Sequence, residues 1–214
     1  MRSVYITGVG MTPFGRHENA SLIDLAVDAA SQALAEAGLG ASDIGALYLG
    51  SFLARSLDRQ GLPAALVANK LGMGSCAATT LEAACASGQV ALRHGVIACG
   101  AGTTEAALCV GVERMTAFNL GEVTAGLAEG AERASDFAAG MTFPAFFGLV
   151  ASAHATRYGT TPEQLAAVPV KSRRHARTNP KAMFRAPITV EGVLASRLIA
   201  DPLRLHVAPK TMLP

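Results

Sequence analysis

Charge is scarce in this sequence: Asp, Glu, Lys and Arg make up 16% of the 214 residues and sum to a formal net charge of +2. So nearly neutral a chain offers no electrostatic case for nucleic acid or an anionic membrane as its main partner. Any anionic ligand has to be held by a local group of cations. Long apolar runs are also missing. The stretches from Val4 to Val9 and from Ala106 to Val112 are too short to cross a bilayer. No charged start followed by an apolar stretch and a small-residue cleavage site opens the chain. The expectation is a soluble, cytoplasmic protein without a membrane span. The cysteines Cys76, Cys85, Cys99 and Cys109 have no CxxC spacing, which argues against a disulfide framework and against a metal site. Three of them read as small core residues. Neither an internal repeat nor a low-complexity tract interrupts the chain.

What is present is apolar material: half of the residues are hydrophobic, ample for a globular core. Ser3 to Gly10 is β-branched and closes on glycine, so it reads as a strand running into a loop. A helix follows, with Ser21 as its cap, Asp24 three residues on, an apolar face from Leu22 to Leu34, and Gly38 as its stop. Ala46 to Gly50 reads as a second strand, Pro63 to Lys70 as a helix and Ala77 to Leu81 as a strand that delivers the chain to Cys85. From Ala86 to about Ala98 the sequence is apolar almost all round, which predicts a helix lying inside the fold. Glu105 to Glu113 has the continuous apolar character of a central strand. This alternation predicts an α/β fold, a sheet covered by helices on both faces.

Beyond Met115 the texture changes. Glycines, Phe137, Phe143, Phe146 and Phe147, a helical stretch from Leu149 to Tyr158 and the basic segment from Lys171 to Arg177 fill a long insertion, of a kind that usually carries function. The expected division is residues 1–115 as an α/β core, 116–198 as an insertion and 199–214 as a tail.

Cys85 is the most informative residue. It stands where an extended segment turns into a helix, and the free N–H groups and positive dipole end of such a helix favour a thiolate. A buried cysteine at such a turn is nevertheless more often a core residue than a nucleophile.

Several segments together resemble the thiolase superfamily, within it the branch of sterol-carrier-protein-like thiolases and lipid-transfer proteins. They are Val4 to Gly15 (VYITGVGMTPFG), Glu82 to Gly88 (EAACASG), Val110 to Met115 (VGVERM), Tyr158 to Thr161 (YGTT) and Asn179 to Arg185 (NPKAMFR). The resemblance implies a thiolase-like mixed sheet, the first half of a two-half subunit, and a Cys85 thiolate that accepts an acyl group from a coenzyme A thioester. A thiolate is both a good nucleophile and a leaving group matched to the CoA thiol. The Cys85 backbone N–H would serve as an oxyanion donor, and Gly88 would let the helix approach neighbouring backbone. CoA enters as substrate, with no permanently bound cofactor.

Other residues carry two readings each. Arg173, Arg174 and His175, with Lys171, Lys181 and Arg185, either meet the phosphates of CoA or form a solvated helix face. Phe143, Phe146 and Phe147 either line an acyl tunnel or belong to the core, and core is the default. His94 lies two and a half turns past Cys85 and reads as structural; His154 is a surface residue or a CoA contact. After His206 the resemblance stops. A thiolase takes its catalytic histidine, a second cysteine and further oxyanion donors from its second half, so this chain is expected to be inactive alone or to depend on a complementary thiolase-half subunit. A homodimer through the edge near Cys76 to Leu81 is the other expected assembly. A noncatalytic acyl-CoA-binding or lipid-transfer protein and a ketoacyl synthase are the alternative functions.

Overall fold

In the computed structural model residues 2–208 are described; positions 209–214, within the expected tail, lie outside the described residues. The chain divides into two compact units, one built on Arg16–Ala117 with the start of the chain up to Thr12, the other on Pro13–Gly15 with the chain from Phe118 onward.

The first unit is α/β. Helix α1 (Leu22–Ala37) starts where the sequence signals it: Ser21 Oγ accepts the Asp24 N–H, and Asp24 Oδ2 accepts the Ser21 N–H. It ends at Gly38, whose φ of 66° is the left-handed conformation of a glycine stop. Strand β1 (Ala46–Gly50), helix α2 (Pro63–Lys70), strand β2 (Ala77–Leu81), helix α3 (Ser87–Ala101) and strand β3 (Ala107–Gly111) follow. The strands are parallel, in the order β2-β1-β3.

Side-chain alternation puts helices on both faces of this sheet. Leu47 and Leu49 of β1 and Leu108 and Val110 of β3 join the buried core with Leu22 and Ala26 of α1 and Ala64 and Val67 of α2. On the other face Tyr48 packs its ring 5.8 Å from that of His94 on α3, and the Cys109 sulfur fills the space over Gly95.

In this first unit three expectations need correction. Residues 3–10 are extended but belong to no strand, and Tyr5 and Ile6 are 80% and 73% exposed. Their backbone lies along α1: Gly8 and Gly10 approach Ala33 and Ala29 so closely that a Cβ at either would overlap a helix carbonyl. The Val9 N–H donates to Glu36 Oε2. β-Branched content suits a pleated surface but does not supply a partner strand. Secondly, among the described residues β1 is the central strand and β3 an outer one; the apolar run in β3 goes with cover on its faces. Thirdly, α3 is buried only on the side facing the sheet. Its outer side exposes Leu92, Val96 and Ile97 at 40–45%.

The second unit is mainly helical, with α4 (Leu120–Ala128), α5 (Phe143–Tyr158), α6 (Pro162–Ala176) and α7 (Val190–Leu194), followed by the antiparallel strands β4 (Leu198–Ala200) and β5 (Leu203–Arg204). Side chains of Asn119, Thr142, Thr161 and Thr189 cap the four helices. Gly148 brings α5 against the Asp201 carbonyl, which a Cβ would meet at 2.8 Å. Helix α5 begins earlier than expected, at Phe143, because Thr142 caps it and Pro144 suits its first turn. Phe146 and Phe147 are not core: both are more than 40% exposed. Among the described residues no helix is long and apolar enough to cross a membrane.

Candidate active site

The candidate site begins at the end of β2. After Leu81 the chain passes Glu82 and Ala83, makes a single tight turn over Ala84–Ala86 and enters α3 at Ser87. Cys85 occupies the middle of that turn and is exposed; Cys76, Cys99 and Cys109 are half-buried. Burial pushes the Cys76 thiol up, and it does the same to Cys109, with the nearby Cys99 adding to the effect. Cys85 is therefore the cysteine that a solvent-borne reactant meets.

The turn is built from small residues and held by a hydroxyl. Ser87, 4% exposed, donates from Oγ to the Ala84 carbonyl at 2.7 Å and accepts the Ala83 N–H at 2.9 Å. Ala84 has φ +47°, a conformation uncommon for a residue with a Cβ. The Glu82 carboxylate accepts the Ala84 N–H.

Below the turn, backbone meets backbone. A Cβ on Gly50, the last residue of β1, would lie 2.2 Å from the Ser87 carbonyl oxygen and 2.6 Å from the Gly88 nitrogen. Gly88 and Gly111, the last residue of β3, are also in contact, a Cβ on Gly111 meeting the Gly88 Cα at 3.3 Å. A Cβ on Gly88 itself would meet the Gly111 Cα at 3.5 Å, an ordinary contact, so the close approach expected of Gly88 depends on Gly50 instead.

Two residues past Gly111, Glu113 closes the same region. It accepts hydrogen bonds from the N–H groups of Phe52 and Leu53 and from Ser51 Oγ, so it pins the loop that leaves β1 to the end of β3. Desolvation raises the Glu113 carboxyl above its ordinary value of 4.5, outweighing the hydrogen bonds that favour its anion. Arg114 pairs with Asp58 at 2.7 Å, with little of either side chain exposed, and ties the far end of that loop down. In the sequence Glu113, Arg114 and Ser87 stand out only as members of matching segments; a lone carboxylate two residues past the glycine that ends an apolar run is the signal that marks Glu113.

The remaining candidates fall elsewhere. His94 is on α3 with its Nδ1 at 2.8 Å from the Val90 carbonyl and its ring against Tyr48, a packing role. Arg173, Arg174 and His175 share the last turn of α6 in the second unit. The Arg173 guanidinium lies 4.7 Å over the Phe184 ring and reaches the Ala186 carbonyl, whereas Arg174 and His175 are exposed. In the same unit the Phe14 N–H donates to the Lys181 carbonyl at 2.8 Å, which joins two of the matching segments far apart in sequence. His154 pairs with Thr160 Oγ1 at 2.7 Å and, with Phe147, Val150 and Leu203, lines a cavity of about 480 Å³. Among the described residues no group of three or more His, Cys, Asp or Glu side chains is placed to hold a metal.

Residues 4–200 match the family model described as the thiolase N-terminal domain. The chain belongs to the thiolase family. Acetyl-CoA acetyltransferase of Methanothermobacter thermautotrophicus is 37% identical over 205 residues, which are 96% of this chain and 53% of that protein. Human (Homo sapiens) sterol carrier protein 2 is 27% identical over 94% of this chain and 38% of its own length. Among solved structures, the one titled Ltp2-ChsH2(DUF35) aldolase superposes with a TM-score of 0.74 at 29% identity, covering 94% of this chain and 50% of that one. This thiolase N-terminal half thus spans about half the length of the acetyltransferase it matches, and its sheet, parallel among the described strands, carries helices on both faces as expected of the α/β fold.

Glu113 gives this thiolase half a testable pH dependence. Its folded pKa is raised, so the native state binds the proton more tightly than the unfolded chain. Stability contributed by that proton is lost as pH rises from about 4.5 through the raised native value. Urea midpoints of the parent and of Glu113→Gln across this range are expected to differ in slope, the variant losing the Glu113 part of the decline. Parallel curves would contradict it.

Proposed function

We propose that this thiolase half accepts an acyl group from a CoA thioester on Cys85. The Cys85 thiolate attacks the thioester carbonyl, the carbon–sulfur bond to CoA breaks, and CoA leaves as its thiolate and takes up a proton; the acyl group remains on the protein as a new thioester. The observation that carries this reading is the exposed position of Cys85 on the turn into α3, inside the matched thiolase domain. The Cys85 backbone N–H is the oxyanion donor in this scheme. Transfer onward to a carbanion, or back to CoA, needs a base. His94 is engaged with Val90 and Tyr48, so the base is assigned to a further thiolase half, on the same polypeptide or on a complementary subunit.

Arg174 and His175, exposed on the last turn of α6, are the proposed contacts for the CoA phosphates, with Arg173 shaping the turn through Phe184. Strand β2, an outer strand with exposed residues from Ala77 to Thr80, is the proposed edge for a dimer partner. Similarity to sterol carrier protein 2 favours a second reading, in which the fold holds an acyl-CoA or lipid without reacting.

Intact mass after incubation with acetyl-CoA separates the two. One acetyl group added to the parent and none to Cys85→Ala is the expected result; an unmodified parent that still binds CoA supports the carrier reading and removes the catalytic one. Replacing Arg174 and His175 together by alanine is expected to weaken CoA binding about tenfold, the loss of roughly 1.4 kcal/mol of charge-assisted contact. An unchanged Kd by calorimetry returns that turn to a solvated helix face.

A further inference from the structure

The turn that presents Cys85 carries a conformational cost next to a buried polar side chain. Ala84 sits at φ +47°, where the Cβ is disfavoured and the surroundings have to hold the backbone in place. Glycine would adopt this conformation freely, yet the residue is alanine. Ser87 is 4% exposed, and its hydroxyl uses both capacities on the residues at and before the strain: it accepts the Ala83 N–H at 2.9 Å and donates to the Ala84 carbonyl at 2.7 Å. The peptide group between Ala83 and Ala84 is flanked by these two bonds, so the hydroxyl opposes rotation of Ala84 back to negative φ. Ser87 is itself immobilised, because its own carbonyl lies against Gly50 at the end of β1.

We infer that Ser87 is the positioning residue of Cys85: its hydroxyl clamps Ala84 in the left-handed conformation and thereby sets the sulfur at the start of α3. This rests on the reading of Cys85 as the nucleophile. Ser87 touches neither substrate nor sulfur in this role; it acts through the backbone of Ala84. Without the clamp the turn relaxes, Cys85 shifts from its place before the first turn of α3, and its reaction with an electrophile slows.

The test is the rate at which iodoacetamide alkylates Cys85 in the native protein, read by peptide mass, which does not depend on any CoA chemistry. Ser87→Ala is expected to slow alkylation about tenfold. The double variant Ser87→Ala with Ala84→Gly is expected to recover most of the rate, because glycine holds positive φ without a clamp. Ala84→Val penalises the same conformation without touching the buried hydroxyl, and is expected to slow the reaction while Ser87 stays in place. A folded Ser87→Ala with the parent's rate or a faster one overturns the proposal. So does a slow double variant, since a hydroxyl that only fills space is not replaced by a change at residue 84. If Ser87→Ala does not fold, as judged by far-UV circular dichroism, Ala84→Val decides: a parental rate there overturns the inference. Absence of an acetyl adduct on the parent sinks the acyl-transfer reading and leaves these alkylation rates to judge the clamp separately.

Discussion

The first turn of α3 lies on the ends of two strands with no side chain between, and the site depends on that contact. Gly50 closes β1, Gly111 closes β3, and Ser87 and Gly88 open the helix that crosses them. A methyl group at Gly50 would have to push the helix start away. Because the Cys85 turn is continuous with that helix start, the sheet dictates where the sulfur stands. Around this contact the Ser87 hydroxyl bonds the Ala83 N–H and the Ala84 carbonyl, and Glu113 accepts the N–H groups of Phe52 and Leu53.

The same constraint gives a reason for the composition of the matching segments. VGVERM supplies the glycine that meets α3, then the carboxylate that gathers the loop after β1, then the arginine that anchors Asp58. EAACASG supplies the small residues of the turn, its hydroxyl and its second contact glycine. The two segments are unrelated in sequence and form one structure. In the second unit, Pro13 to Gly15 and the NPKAMFR segment are joined by the backbone hydrogen bond from Phe14 to Lys181.

Much of the fold was legible in local signals. The Ser21 and Asp24 capping box, the Gly38 stop, and the bounds of β1, α2 and β2 follow from turn chemistry and periodicity, and the structure keeps them. What was not legible is what depends on neighbours. The pattern in residues 3–10 fits a strand, but a strand also needs an edge to pair with, and α1 is what these residues lie against. The uniformly apolar α3 predicts burial on every side, while in this chain Leu92, Val96 and Ile97 remain exposed. Cys85 itself could be picked out from its position before a helix. The clamp by Ser87 could not, because positive φ at an alanine has no mark in the sequence.

The contact between α3 and the strand ends is open to a direct measurement by amide hydrogen exchange, comparing the segment from Glu82 to Ala91 with β1 in the parent and in Gly50→Ala. Amides of the turn and of the first turn of α3 are predicted to be protected together with β1 in the parent, and to lose protection together with β1 in the variant. If the Glu82 to Ala91 segment exchanges at the rate of a free loop in the parent, or keeps its protection in a folded Gly50→Ala, the sheet does not hold the Cys85 turn and the account fails.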